Sequence, residues 1–293
     1  MLDQAHKLRE LASFERRKQA DGETRKSRRI AVTSGKGGVG KSNFALNLAI
    51  LTAALNKKTL LIDADTNLAN IDILMGISTK YNLSHVLAGQ RTCREILIEG
   101  PGGISILPAA SGSIEQALDE GIAAESVIHD LNSLEEDFDI VILDTGAGVS
   151  RSVLDFVLIA DTMVLITTPE PTAITDAYAM VKLITSERAN IDIQILVNLA
   201  ANKREALEVF DKLSSVIGHF LSSEVNYLGF LPRDPMLERS VLSQEPLVNA
   251  YPKSPAATQL KFIARKLMQP GGAIMERETG FLGSLFRRAK AGI

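Results

Sequence analysis

"TSGKGGVGKS", Thr33 to Ser42, holds four glycines and two lysines in ten residues and follows the apolar run "RIAV". The stretch after it, Asn43–Leu55, carries apolar residues at helical spacing. A glycine-rich loop between a strand and a helix is the setting a phosphate-binding loop requires. Gly35, Gly37, Gly38 and Gly40 let backbone N–H groups turn inward around phosphate oxygens, and the helix N-terminus adds partial positive charge. Val39 and Asn43 lie within the same stretch and are expected to touch nucleotide. Lys41 is the lysine that serves the β- and γ-phosphates, and the Ser42 hydroxyl is the expected Mg²⁺ ligand. Lys36, at the mouth of the loop, is surplus to that scheme.

Outward from the loop, residues 29–268 alternate short apolar runs with helical periodicity. The runs are "RIAVTS", "TLLID", "ISILPA", "DIVILD", "TMVLITT", "IDIQILVN" and "NYLGFLP". Most are continuous rather than alternating, as in strands buried on both faces. Helical spacing recurs over Asn43–Leu55, Ala173–Arg188 and Lys203–Phe220. The pattern predicts one α/β domain: a doubly wound, mostly parallel sheet with helices on both faces. Residues 1–28 read as a short amphipathic helix from Asp3 to about Lys18 followed by a flexible basic linker, "QADGETRKSRR". Residues 269–293 read as a linker opening on "PGGA" and an amphipathic helix.

Composition narrows the class. The 293 residues carry a net charge of −3, which argues against a protein that coats nucleic acid. One cysteine, Cys93, excludes an intrachain disulfide and fits a reducing compartment. No apolar run reaches the ~18 residues that span a bilayer. A soluble, cytoplasmic protein with peripheral membrane contact at most is the expectation.

Carboxylates end two of the apolar runs. Asp63 and Asp65 in "LLIDADTNLANID" point to the same side of an extended strand end, and Asp144 closes "VILDTGAG". Acidic residues at strand C-termini beside a phosphate loop sit where open α/β sheets bind ligands. Asp144 is suited to the Mg²⁺ shell, Gly146 to close approach of the backbone to the γ-phosphate, and Asp65 to orienting the attacking water. Capping of the following helices is the competing role of these aspartates.

The loop "KGGVGKS" resembles the deviant Walker A motif of MinD/ParA-type P-loop ATPases, in which a second lysine precedes the glycines. The resemblance covers residues 29–268 and implies ATP/ADP and Mg²⁺ as ligands, with Ser42, Asp63 and Asp144 around the metal and Lys36, Lys41 and Asp65 as catalytic residues. It also implies a homodimer that sandwiches ATP, Lys36 reaching the partner's phosphates. "DADTNLANID" resembles the first switch, with Asn67 where the group usually has glycine, and "DTGAG" the second. Asn198 in "LVNLA" matches the adenine-binding asparagine, and Pro232, Arg233 and Asp234 the loop flanking the base.

The ends of the chain point further. Asp3, Gln4, Ala5, Leu8 and Arg9 in "DQAHKLRELA" match the N-terminal motif of the FlhG (FleN/YlxH) family of flagellar number and placement regulators. That resemblance implies stimulation of the FlhF GTPase and contact with flagellar switch or C-ring proteins and, in some members, a transcriptional activator. "GFLGSLFRRAK" resembles the family's membrane-targeting helix, with Phe281, Leu282, Leu285 and Phe286 on one face flanked by Arg287, Arg288 and Lys290. Two rivals stand beside this reading. A ParA-type segregation ATPase would touch DNA through "TRKSRR". An iron–sulfur carrier would need two cysteines per protomer, and Cys93 is single.

Overall fold

The seven apolar runs all become strands. The computed structural model describes residues 27–65, 71–108, 130, 132–188 and 191–269. Among them the strands are β1 (Arg28–Ser34), β2 (Thr59–Ala64), β3 (Ile98–Glu99), β4 (Ser105–Leu107), β5 (Ile140–Ala147), β6 (Thr162–Thr167), β7 (Asp192–Ala200) and β8 (Asn226–Pro232). They form one sheet in the order β3-β4-β2-β5-β1-β6-β7-β8. Every pair is parallel except β3–β4. β1, β2, β5 and β6 are buried almost throughout, as their unbroken apolar composition requires.

The described helices are α1 (Lys41–Ala53), α2 (Ile71–Met75), α3 (Leu83–Leu87), α4 (Cys93–Ile96), α5 (Arg151–Leu158), α6 (Pro171–Glu187), α7 (Lys203–Leu221), α8 (Pro235–Leu242), α9 (Leu247–Ala250) and α10 (Pro255–Leu267). Two apolar clusters hold them. One joins α5, α6 and α7 to the sheet through Phe156, Met180 and Leu213. The other joins α1 and α10 through Phe44, Leu48 and Leu260. Helices therefore cover both faces, as the alternation predicts. Helix α1 buries Phe44, Ala45, Leu46, Leu48, Ala49 and Ile50, residues on all sides of its axis, because it is enclosed by sheet and neighbouring helices.

One boundary differs from expectation. The basic stretch taken as linker through Arg29 ends earlier, since Ser27, Arg28 and Arg29 are part of the folded domain. Arg29 is fully buried, and its Nε donates to Glu135 Oε1 at 2.6 Å while its backbone N–H donates to Asp161. Arg28 Nη2 donates to Thr162 Oγ1 at 3.0 Å and Nη1 to the Leu267 carbonyl. A basic run in the sequence looks like solvated chain, but Arg29 is paired with Glu135 and Arg28 is hydrogen-bonded to neutral partners, all more than a hundred residues away. Two of the basic groups in "TRKSRR" are thus withdrawn from any DNA surface. Residues 1–26 and 270–293, which carry both end motifs, lie outside the described residues, as does Asn67.

Candidate nucleotide site

β1 lies at the centre of the sheet, flanked by β5 and β6, so the loop after it opens at the point where the connections diverge to the two sides. Ligands of open α/β sheets bind at such a point. The register places Val32, Asp63 and Asp144 level across β1, β2 and β5, one step below the loop. The register slips between Val32 and Ser34, and Gly148 N–H donates to the Ser34 carbonyl, locking the second switch strand onto the loop.

Not every loop glycine serves phosphate. Gly38 and Gly40 have left-handed backbones (φ 76° and 91°), and Gly40 is the N-cap of α1. Gly35 is required by packing instead. A Cβ there would stand 2.4 Å from the Asp176 carbonyl carbon in α6. Gly37 has open space around it. Val39 turns its side chain into the core.

The lysines separate. Lys41 is buried beside the carboxylates, where its charge partly opposes the upward effect of burial on Asp144. Lys36 turns outward: its Nζ sits 2.6 Å from Glu170 Oε2 and 3.3 Å from Thr172 Oγ1, at the start of α6. The pairing holds the Glu170 carboxyl below its usual range. Glu170 was not singled out from sequence. The trace it leaves is the "PEP" of Pro169–Pro171, a strand end and a helix start in consecutive residues.

Asp144 is wholly buried, and neither of its carboxylate oxygens has a hydrogen-bond partner. Burial, with Asp63 nearby, pushes its pKa up to about 8, while Ser42 and Lys41 pull the other way. An orphaned carboxylate beside a serine hydroxyl is the donor set a hard divalent cation accepts. Among the described residues no cluster of three or more His, Cys, Asp or Glu could form an all-protein cage. Mg²⁺ would be held by one or two side chains and completed by water and phosphate.

Asp63 faces backbone: its carboxylate accepts from the N–H groups of Asp65 and Ile71, both at 3.3 Å. The capping role is thus the visible one. Asp65 leans over the second switch, where a Cβ on Gly146 would lie 3.5 Å from its Oδ1. Both switch segments meet at this carboxylate.

On the other side of the loop, Asn198 Nδ2 donates to the Val39 carbonyl at 2.7 Å and its Oδ1 accepts from Leu199 N–H, so it braces the phosphate loop. Leu199 and Arg233 share an open cleft of about 200 Å³ with Thr168, Pro169 and Glu170. Pro232, Asn43 and Gly40 line an adjoining apolar recess. The Asp234 carboxylate is turned away to the N–H groups of Met236 and Ala256, which lower its pKa against the raising effect of burial. It anchors the loop instead of facing the cleft. The structure gathers Lys36–Ser42, Asp65, Asp144, Asn198 and the 232–234 loop around one mouth.

A phosphate loop on the central strand, an orphaned carboxylate beside its serine and a second lysine at its rim define a P-loop NTPase of the deviant Walker A class. The ParA model, described as NUBPL iron-transfer P-loop NTPase, matches residues 25–268. The chain belongs to the ParA/MinD family of P-loop ATPases. It is 37% identical to the antiactivator FleN of Pseudomonas aeruginosa over 81% of this chain and 85% of that protein. It is 32% identical to the flagellum site-determining protein YlxH of Helicobacter pylori over 96% and 94% of the two chains. The solved septum site-determining protein MinD of Pyrococcus horikoshii, complexed with Mg-ADP, shares the fold at TM-score 0.67, with 24% identity over 83% of this chain and 96% of that one.

Proposed function

We propose that this ATPase is a nucleotide-gated dimerisation switch that regulates the number and placement of flagella. The observation that carries the reading is the position of Lys36. A loop lysine meant for its own nucleotide points inward, as Lys41 does; Lys36 stands on the rim, held by Glu170 and Thr172. From there it is available to the nucleotide of a second protomer. In this reading Lys41 neutralises the phosphates from below, Ser42 and Asp144 would hold Mg²⁺, and Asp63 supports switch one. Mg²⁺ supplies charge neutralisation at the β- and γ-phosphates. Asp65, placed over Gly146, orients the attacking water. Asn198, Pro232 and Arg233 shape the base side of the cleft, and Asp234 holds the 232–234 loop in place from behind.

Similarity to FleN and YlxH supports the flagellar role. The segment with Asp3, Gln4, Ala5, Leu8 and Arg9 is assigned to stimulation of the FlhF GTPase. The face with Phe281, Leu282, Leu285, Phe286, Arg287 and Arg288 is assigned to the inner membrane surface, with C-ring proteins and a transcriptional activator as further partners. Burial of Arg29, and the engagement of Arg28 with Thr162 and the Leu267 carbonyl, count against the DNA-segregation alternative. A shared iron–sulfur cluster is disfavoured too, because the single cysteine is buried and burial pushes its thiol pKa up, away from the thiolate a cluster needs.

Lys36→Ala tests the switch directly. Gel filtration with light scattering in Mg-ATP should show the parent as a dimer and the variant as a monomer that still binds nucleotide. A dimer of parental stability in the variant refutes the assignment. Asp65→Ala should dimerise and fail to turn over; rapid hydrolysis by it removes Asp65 from the mechanism.

A further inference from the structure

Helix α8 starts from the nucleotide-flanking loop and ends against the helix that leaves switch one. At its start, Asp234 caps Met236 and also accepts from Ala256 N–H at 3.0 Å, tying the 232–234 loop to α10. At its end the chain turns through Gln244, whose backbone is left-handed (φ 54°), with Gln244 N–H on the Val241 carbonyl and Glu245 N–H on Ser240. Glycine or asparagine is the ordinary occupant of that position, because a larger side chain strains there.

The glutamine does something glycine could not. Its Nε2 donates to the Ile73 carbonyl in α2 at 2.9 Å. Gly76 leaves room for it: a Cβ there would meet Gln244 Cβ and Oε1 at 3.2 Å. The far side of α2 is held by Asp63, which accepts from Ile71 N–H and also from Asp65 N–H two residues after itself, and Asp65 stands over Gly146. A continuous path therefore runs from Arg233 at the cleft, along an eight-residue rod, through one amide, to the carboxylates of switch one.

We propose that Gln244 is a positioning residue for ATP hydrolysis, coupling what the 232–234 loop holds to the placement of Asp65. Two substitutions separate coupling from folding. Gln244→Gly removes the amide and relieves the left-handed backbone, so its melting temperature should equal or exceed the parent's. Gln244→Glu keeps shape and backbone but sets an acceptor against the Ile73 carbonyl. In the full-length protein with saturating Mg-ATP, both should lower kcat roughly three- to tenfold with KM changed less than about twofold. Hydrogen exchange supplies the readout that a mere helix stop would not move: ADP binding should protect the amides of 71–76 in the parent and not in Gln244→Gly. Parental kcat in Gln244→Gly overturns the proposal. So does a nucleotide response at 71–76 that survives the substitution or is missing from the parent.

Discussion

Asp144 stands wholly buried at the end of β5 with both oxygens unbonded and a pKa pushed up to about 8 by burial and Asp63. A carboxyl whose folded pKa lies above its unfolded value holds more protons folded than unfolded. Its stabilising contribution is complete below the ordinary carboxyl pKa and is lost as pH rises toward 8. Between those limits the nucleotide-free protein should lose on the order of 5 kcal/mol from this group. Thermal melts from pH 5 to pH 8 should fall steeply in the parent and flatten in Asp144→Asn. Mg-ADP should restore the parent at pH 8 far more than the variant. Equal slopes would mean that the carboxylate is not buried alone. At Gly35 the constraint is steric. An alanine would collide with the α6 backbone at Asp176, so Gly35→Ala should drop the melting temperature by roughly 3–10 °C through overpacking. Gly37→Ala, in open space, should melt like the parent and bind nucleotide more weakly. The motif in the sequence told both glycines as phosphate residues; only the backbone of α6, which no local pattern reveals, distinguishes them.

At the scale of elements, buried strands announced themselves because continuous apolar runs such as "DIVILD" and "TMVLITT" admit few other fates in a chain with interleaved helical periodicity. β3 did not, since two residues, Ile98–Glu99, are too few to show a period, and their pairing depends on the turn at Pro101–Gly103. The start of β1 reads at Arg29, one residue late, but the burial of Arg29 is not legible because its partner, Glu135, lies outside any local window. The contact between Lys36 and α6 is of the same long-range kind. It joins an exposed pair, with 40% and 60% of the side chains accessible, so its direct stabilisation is slight. Its larger effect is on order: a lysine side chain fixed at the rim surrenders part of its rotamer freedom, up to about 2 kcal/mol, before a partner arrives. In the proposed symmetric dimer two such lysines act. Glu170→Gln should therefore weaken ATP-driven dimerisation by roughly three- to thirtyfold while monomer affinity for ADP stays parental. Sedimentation equilibrium in Mg-ATP measures this, and a tighter dimer in the variant would assign Glu170 the opposite role of restraining Lys36.

For the whole molecule the issue is whether ATP state governs membrane contact. In the proposed reading attachment uses the segment with Phe281, Leu282, Leu285 and Phe286. Burying four such side chains yields roughly 1.5–3 kcal/mol each, and Arg287, Arg288 and Lys290 add about 1 kcal/mol each near anionic lipid. Ordering about ten residues costs on the order of 1–2 kcal/mol apiece. These contributions nearly cancel, so one copy binds marginally. A dimer joins two copies, and the second binds at the effective concentration set by the first, raising avidity about 10²- to 10⁴-fold. Co-sedimentation of the full chain with anionic vesicles should therefore be strong with Mg-ATP and weak with Mg-ADP. Lys36→Ala should sediment weakly with either nucleotide, as should Phe281→Asp, which keeps the dimer. Sedimentation of Lys36→Ala as strong as the parent's would separate membrane attachment from dimerisation and leave the second lysine without its proposed consequence.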